Sequence, residues 1–207
     1  MSLQPSASLP YDWVVSDLHL LLEAKQYRPR GADELIVANW PVTATERVLF
    51  LGDLDGMWGL GFLARQDAED AAIALGALLE KLPGRVTLVA GNWDSDDVLE
   101  VADAAGWAVA RADGDPVKGL QFQYRGWVVD CGHFPAVLVP GMLSLHGHFH
   151  PPAPCLQGHL HEPGEEVASH FESSRRHINV AAPLRSFKPL RLQELLDERI
   201  DHLEGSC

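Results

Sequence analysis

Cysteine is scarce in this chain of 207 residues, and its placement excludes more than it suggests. Cys131, Cys155 and Cys207 are odd in number and form no C-x-x-C. Neither a disulfide framework nor a thiolate zinc site is expected, which suits a reducing compartment. Basic residues are also few: Lys and Arg total 16 against 29 Asp and Glu, for a net charge of -13. An extended nucleic-acid interface or a membrane-surface face needs a cationic patch, so both are disfavoured. No apolar run approaches the ~20 residues of a membrane-spanning helix. The first ten residues, MSLQPSASLP, carry no basic cluster ahead of an apolar core, so no secretion signal is expected. The expectation is a cytoplasmic protein.

Hydrophobic residues make up 46% and charged residues 22%, the balance of a globular chain with a real core. The length fits one domain over residues 1–207. The unusual component is histidine, with ten against only 16 Lys and Arg.

Short apolar runs at Trp13–Ser16, Arg47–Leu51, Arg85–Ala90, Gly126–Asp130, Met142–Leu145 and His177–Ala181 read as strands. They are nearly continuous rather than alternating, as in strands covered on both faces. Helices are expected at Ala32–Trp40, Leu63–Leu82, Asp94–Ala104 and Leu192–Leu203, the second stopped by Pro83-Gly84. The alternation implies an α/β domain. Pro151–Arg176 has no periodicity and reads as a long loop. Trp13, Trp40, Trp58 and Trp127 are most economically core or core-edge residues.

The informative residues follow the strands. Asp17-Leu18-His19 follows the first, Gly52-Asp53 the second and Gly91-Asn92-Trp93-Asp94 the third; Cys131-Gly132-His133 and His146-Gly147-His148-Phe149-His150 follow the next two. Sites in α/β sheets form at the carboxyl ends of strands, so these residues can converge although they are distant in sequence. Side chains two apart on an extended segment point the same way, which would let Asp17 and His19 grip one ion. Carboxylate, imidazole and amide donors together suit manganese, zinc or iron better than magnesium or calcium. Each piece alone has a plainer reading: D-x-H as a cap or surface pair, G-D as a turn, Asn92 as a left-handed turn residue, His133 as a packing histidine. Three alternating histidines at a strand end are harder to explain without a ligand.

D-x-H, G-D, G-N-x-D, a strand-end His and G-H-x-H, in that order, resemble the calcineurin-like metallophosphoesterases over Asp17 to His150. ADELIVANW with the following ERVLFLGDL, GHFP at Gly132–Pro135 and HINV at His177–Val180 resemble the small bacterial phosphoesterase branch of that superfamily. The resemblance implies two mixed β-sheets packed as a sandwich and flanked by helices. It also implies a two-metal site, with Asp17, His19, Asp53 and His150 on one ion and Asp53, Asn92, His133 and His148 on the other. Asp53 would bridge ions about 3.5–4 Å apart, and a hydroxide held between them would attack phosphorus in line. Manganese is the first choice of metal, with zinc or iron as alternatives, and no organic cofactor is implied. The implied partner is a small phosphorylated substrate, a phosphodiester or phosphomonoester.

Two departures matter. The family pattern G-N-H-D reads G-N-Trp93-D here, so the histidine that helps protonate the leaving group is missing. An indole N–H donates a hydrogen bond but delivers no proton near pH 7, and losing a general acid costs ~10²–10⁴-fold. Asp53, Asn92 and His146 are the catalytic candidates, His146 as a substitute donor; Trp93 could instead stack on an aromatic substrate group. The alternative is a catalytically weak or inactive metal-binding or interaction module on the same scaffold. The second departure is Asp55, which falls one place early for G-D-x-x-D and reads as a loop residue. A second G-H-x-H, Gly158-His159-Leu160-His161, competes with His148 and His150; the latter are preferred because an apolar strand leads into them. A β-lactamase-like hydrolase is a poorer fit, because its H-x-H-x-D-H is interrupted here by Pro151.

Overall fold

The computed structural model describes residues 8–21, 30–55, 65–110, 119–147, 176–182 and 186–205. It is a mixed α/β structure with two mixed sheets and four helices among those residues. The first sheet contains β1 (Trp13–Val15), β2 (Arg47–Phe50), β3 (Arg85–Val89), β4 (Ala108–Ala110) and β9 (Leu190–Arg191), in the order β4-β3-β2-β1-β9. β1 to β4 are parallel and β9 is antiparallel to β1. The second sheet has the order β5 (Leu120–Tyr124), β6 (Trp127–Gly132), β7 (Met142–His146), β8 (His177–Asn179). There β5 is antiparallel to β6, while β6, β7 and β8 run parallel. The helices are α1 (Ala32–Ala38), α2 (Arg65–Leu79), α3 (Asp96–Ala104) and α4 (Leu192–Glu204).

The side-chain period of two divides the first sheet between two buried clusters. Trp13, Val15, Val48, Phe50, Val86 and Leu88 join Ile36 of α1, Leu75 and Leu79 of α2, and Val98 and Ala102 of α3. Their neighbours Val14, Leu49, Leu51 and Val89 join Val129, Cys131, Leu143, Leu145 and Ile178 of the second sheet. Leu192, Leu196 and Ile200, one stripe of α4, complete that cluster. Coverage on both faces explains why the strands read as continuous apolar runs. Trp13 and Trp40 are buried as expected, whereas Trp58 lies outside the described residues.

Register positions the site. Val15 aligns with Phe50, and Phe50 with Leu88, so the carboxyl ends of β1, β2 and β3 lie side by side. Gly132 aligns with His146, and His146 with Asn179, at the same end of the second sheet. The sheets meet there: Ser16 bridges Ala181, and the Ala182 N–H donates to the Ser16 carbonyl at 2.9 Å.

The six expected strands and four expected helices occur, with ends shifted by a few residues. β4, β5 and β9 were not expected. β5 reads LQFQY, alternating apolar and polar as an edge strand does, and it is joined to β6 by Arg125-Gly126 with φ of 48° and 84°. Two left-handed residues make the tight hairpin turn that such a connection needs. α3 starts at Asp96 rather than Asp94, because Ser95 caps it by accepting the Val98 N–H at 3.5 Å.

Candidate metal centre

Asp17 and His19 converge, but not as neighbours on an extended segment. β1 ends at Val15, and Asp17 and His19 then adopt φ of 55° and 43°. Asp53, after β2, does the same at φ 59°. Left-handed backbone at three non-glycine residues costs on the order of 1 kcal/mol or more each, and it clusters where function demands it. The two loops are laced together by N–H donation from Asp17 to the Gly52 carbonyl, His19 to Asp53, and Leu20 to Leu54, at 2.8–3.0 Å. The result is a buried trio, Asp17, His19 and Asp53, whose ligand atoms all lie within 4.8 Å of one another. His19 Nε2 stands 3.7 Å from Asp17 Oδ1 and 3.6 Å from Asp53 Oδ2. The Ser16 hydroxyl donates to Asp17 Oδ2 at 2.6 Å, fixing that carboxylate.

A second set of donors meets the other oxygen of Asp53. His133 Nε2 lies 3.4 Å from Asp53 Oδ1 and 2.8 Å from Asn92 Oδ1. His133 Nδ1 donates to the Leu51 carbonyl at 2.9 Å, across from one sheet to the other. Both ring nitrogens thus face carbonyl oxygens; a metal-ligating imidazole would keep its proton on Nδ1, toward Leu51, and leave Nε2 a lone-pair donor. Nε2, Asn92 Oδ1 and Asp53 Oδ1 then all present electron pairs to one point, which a cation satisfies. Asp53 Oδ2, on the other side, is buried and accepts no hydrogen bond among the described residues. The donor chemistry therefore fits metal binding at both carboxylate oxygens of Asp53.

Asp94 holds this arrangement without being part of it. Its carboxylate accepts the N–H groups of Asp53 (2.9 Å), Leu54 (2.8 Å) and Gly91 (2.8 Å), fastening the loop after β2 to the loop after β3. The Trp93 N–H donates to Asp53 Oδ1 at 3.2 Å. A methyl group at Gly91 would overlap Asp53 Oδ1, and one at Gly52 would overlap the Gly91 backbone. Burial first, then the charges of Asp17 and Asp94, raise the Asp53 carboxyl to about 9. An acid held protonated by burial among other acids is a group waiting for a cation to replace its proton.

His146 ends β7, buried, with Nδ1 making no hydrogen bond and its ring 5.9 Å from that of His177. Burial, reinforced by His177, lowers it to about 4, so its imidazole is neutral at pH 7. His177 is buried on β8 with Nε2 donating to the Ala136 carbonyl at 3.1 Å. Asp55 is buried and bridges Leu20 by backbone. His148 and His150 lie outside the described residues, as do the competing His159 and His161. Gly147, which leads to His148, does lie at the centre: a methyl there would stand 2.7 Å from Ser16 Oγ and 2.8 Å from Asp17 Oδ2. Of the expected site residues, Asp17, His19, Asp53, Asn92 and His133 are brought together. Sequence reasoning missed the Ser16 hydroxyl and the Leu51 carbonyl. A serine next to a ligand-type Asp is a weak sequence signal, and a backbone carbonyl leaves none.

No protein-family model matches the chain, and no curated protein sequence does. Among solved structures, a protein of unknown function from Aquifex aeolicus superposes with a TM-score of 0.58 at 18% identity, covering 89% of this chain and 97% of that one. A phosphopantetheinyl hydrolase from Mycobacterium tuberculosis superposes with a TM-score of 0.33 at 15% identity, over 59% of this chain and 41% of that one. The first likeness shows a shared fold; the second is too loose to bear on fold or function.

Proposed function

We propose that this chain is a dinuclear metal-dependent phosphoesterase of the calcineurin-like type, hydrolysing small phosphodiesters or phosphomonoesters. In this reading the two sheets form a sandwich flanked by helices in four layers, as one domain. The observation that carries the proposal is the division of Asp53. Oδ2 faces His19 at 3.6 Å within the Asp17 group, and Oδ1 faces His133 at 3.4 Å beside Asn92. A carboxylate that joins two donor groups is what a bridged pair of ions requires. His148 and His150 complete the proposed donor set.

Two divalent ions held there would supply Lewis-acid polarisation of the phosphoryl oxygens and a water of lowered pKa. The chain's own contribution is positional. Asp94 fixes the two loops, Leu51 orients the ring of His133, and Ser16 fixes Asp17. Proton delivery to the leaving group is the weak point, because Trp93 has no proton to give and His146 is neutral at pH 7. The expected substrates are therefore esters whose leaving groups are stable as anions. The test is hydrolysis of bis(p-nitrophenyl) phosphate and p-nitrophenyl phosphate with manganese. Turnover abolished by a chelator and by Asp53→Asn supports the reading, and no turnover by a metal-loaded sample contradicts it.

The competing reading, a metal-binding module without catalysis, is favoured only by Trp93. Trp93→His decides between them. A gain of about tenfold or more on poor leaving groups identifies an active site lacking its acid. No gain with manganese still bound favours a binding role or a different acid, such as His146.

A further inference from the structure

Two aromatic rings flank the donor set, one on each group. The Trp93 indole meets the His19 imidazole edge-on, with centroids 6.2 Å apart and planes at 86°. Phe134 meets the His133 ring in the same way, at 4.8 Å and 77°. The two histidines are buried, yet Trp93 is only half-buried and Phe134 is 41% exposed. Among the described residues, neither ring belongs to the two buried clusters that hold the fold together.

Phe134 is also presented from an anchored segment. The Ala136 N–H donates to Ser144 Oγ at 3.1 Å, and the Ala136 carbonyl accepts from His177. Arg176 donates to the Val139 carbonyl at 2.8 Å. Val137 and Val139, exposed at 92% and 57%, continue the apolar surface along the same segment. An apolar rim beside charged and imidazole donors is wasted on a substrate that is only a small anion. It suits an anion joined to a ring, because aromatic side chains gain specific edge and face contacts with a second π-system.

We propose that Trp93 and Phe134 are the specificity-determining residues of this site, and that its substrate is a phosphoester whose organic group is aromatic. The phosphoryl end lies at the Asp53 donors and the ring lies against Trp93 and Phe134. This rests on the phosphoesterase reading above. It gives Trp93 a reason to stand where a proton donor is lost: recognition of the organic group replaces help to the leaving group.

The test is binding rather than turnover. Phenylphosphonate and methylphosphonate have a C–P bond that ester hydrolysis does not cleave, and they differ in the ring alone. Calorimetric titration of each into manganese-loaded protein should show phenylphosphonate binding roughly tenfold more tightly, the scale of one or two aromatic contacts. Trp93→Ala with Phe134→Ala should reduce that preference to about twofold or less. Trp93→Phe should keep most of it, and a manganese titration of each variant shows that the centre is intact. Equal binding of the two phosphonates, or a preference that survives the double substitution, overturns the proposal and leaves the phosphoesterase reading standing. Manganese binding with affinity for neither phosphonate nor inorganic phosphate overturns both.

Discussion

Replacing Asp53 by Asn separates two properties that the carboxylate combines. The amide keeps the shape and can still accept the Trp93 N–H at Oδ1. It removes the charge that burial, Asp17 and Asp94 make costly. The metal-free variant should therefore be at least as stable as the parent at pH 8. Its manganese affinity should fall by more than the roughly 10–100-fold that even outer groups of a metal site cost. Calorimetric melting and manganese titration read the two effects separately. A variant that melts much lower without metal would mean that Asp53 is a structural group. Asp17, Asp53 and His133 were legible because ligand-type residues directly follow apolar strands. The left-handed turns at Asp17 and His19 were not, since nothing in D-L-H distinguishes an extended pair from one bent twice.

At the scale of elements, the site depends on the loop after β2 being held to the loop after β3. Asp94 makes that joint by accepting three backbone N–H groups, and Gly91 makes room for it. Asp94→Ala strands three backbone donors whose partner is gone, each worth about 1–3 kcal/mol where buried. A destabilisation of about 3–5 kcal/mol is expected, with manganese affinity lowered about 10–100-fold. Gly91→Ala should displace Asp53 and weaken manganese binding with a smaller loss of stability. Thermal melting and metal titration of both variants check this, and an Asp94→Ala protein with unchanged melting would remove Asp94 from the account. Helix patterning and continuous apolar strands made most elements readable. β5 escaped because its Leu-Gln-Phe-Gln alternation belongs to a sheet edge, whereas β1, β2 and β3 are covered on both faces. The role of Asp94 leaves no mark in the sequence, because its partners are backbone N–H groups and no residue pattern records those.

For the molecule as a whole, two buried groups with large shifts, His146 and Asp53, shape the pH response of the metal-free protein. His146, depressed to about 4, contributes stability that is present above its unfolded value near 6.5 and lost as pH falls to 4. Asp53, raised to about 9, contributes stability that is present below its unfolded value near 3.9 and lost as pH rises to 9. Between pH 4 and 6.5 the two slopes oppose and cancel. Above pH 6.5 the Asp53 slope is unopposed and Asp94, also raised by burial, acts in the same direction, so stability should fall by at least about 1 kcal/mol per pH unit toward pH 9. Manganese should remove that fall, because the ion takes the proton's place. Melting curves at pH 6.5 and 8.5, with manganese and with chelator, test this; equal melting in chelator at both values contradicts it. The net charge of -13 bears on the same centre. Two divalent ions against the carboxylates of Asp17 and Asp53 would make a local positive site on an acidic surface, so phosphate binding should vanish with a chelator. The most direct measurement is anomalous diffraction from crystals grown with manganese. The account predicts two peaks on either side of Asp53, one beside Asp17 and His19 and the other beside Asn92 and His133. Absence of any peak at Asp53, or manganese bound only elsewhere, would contradict it.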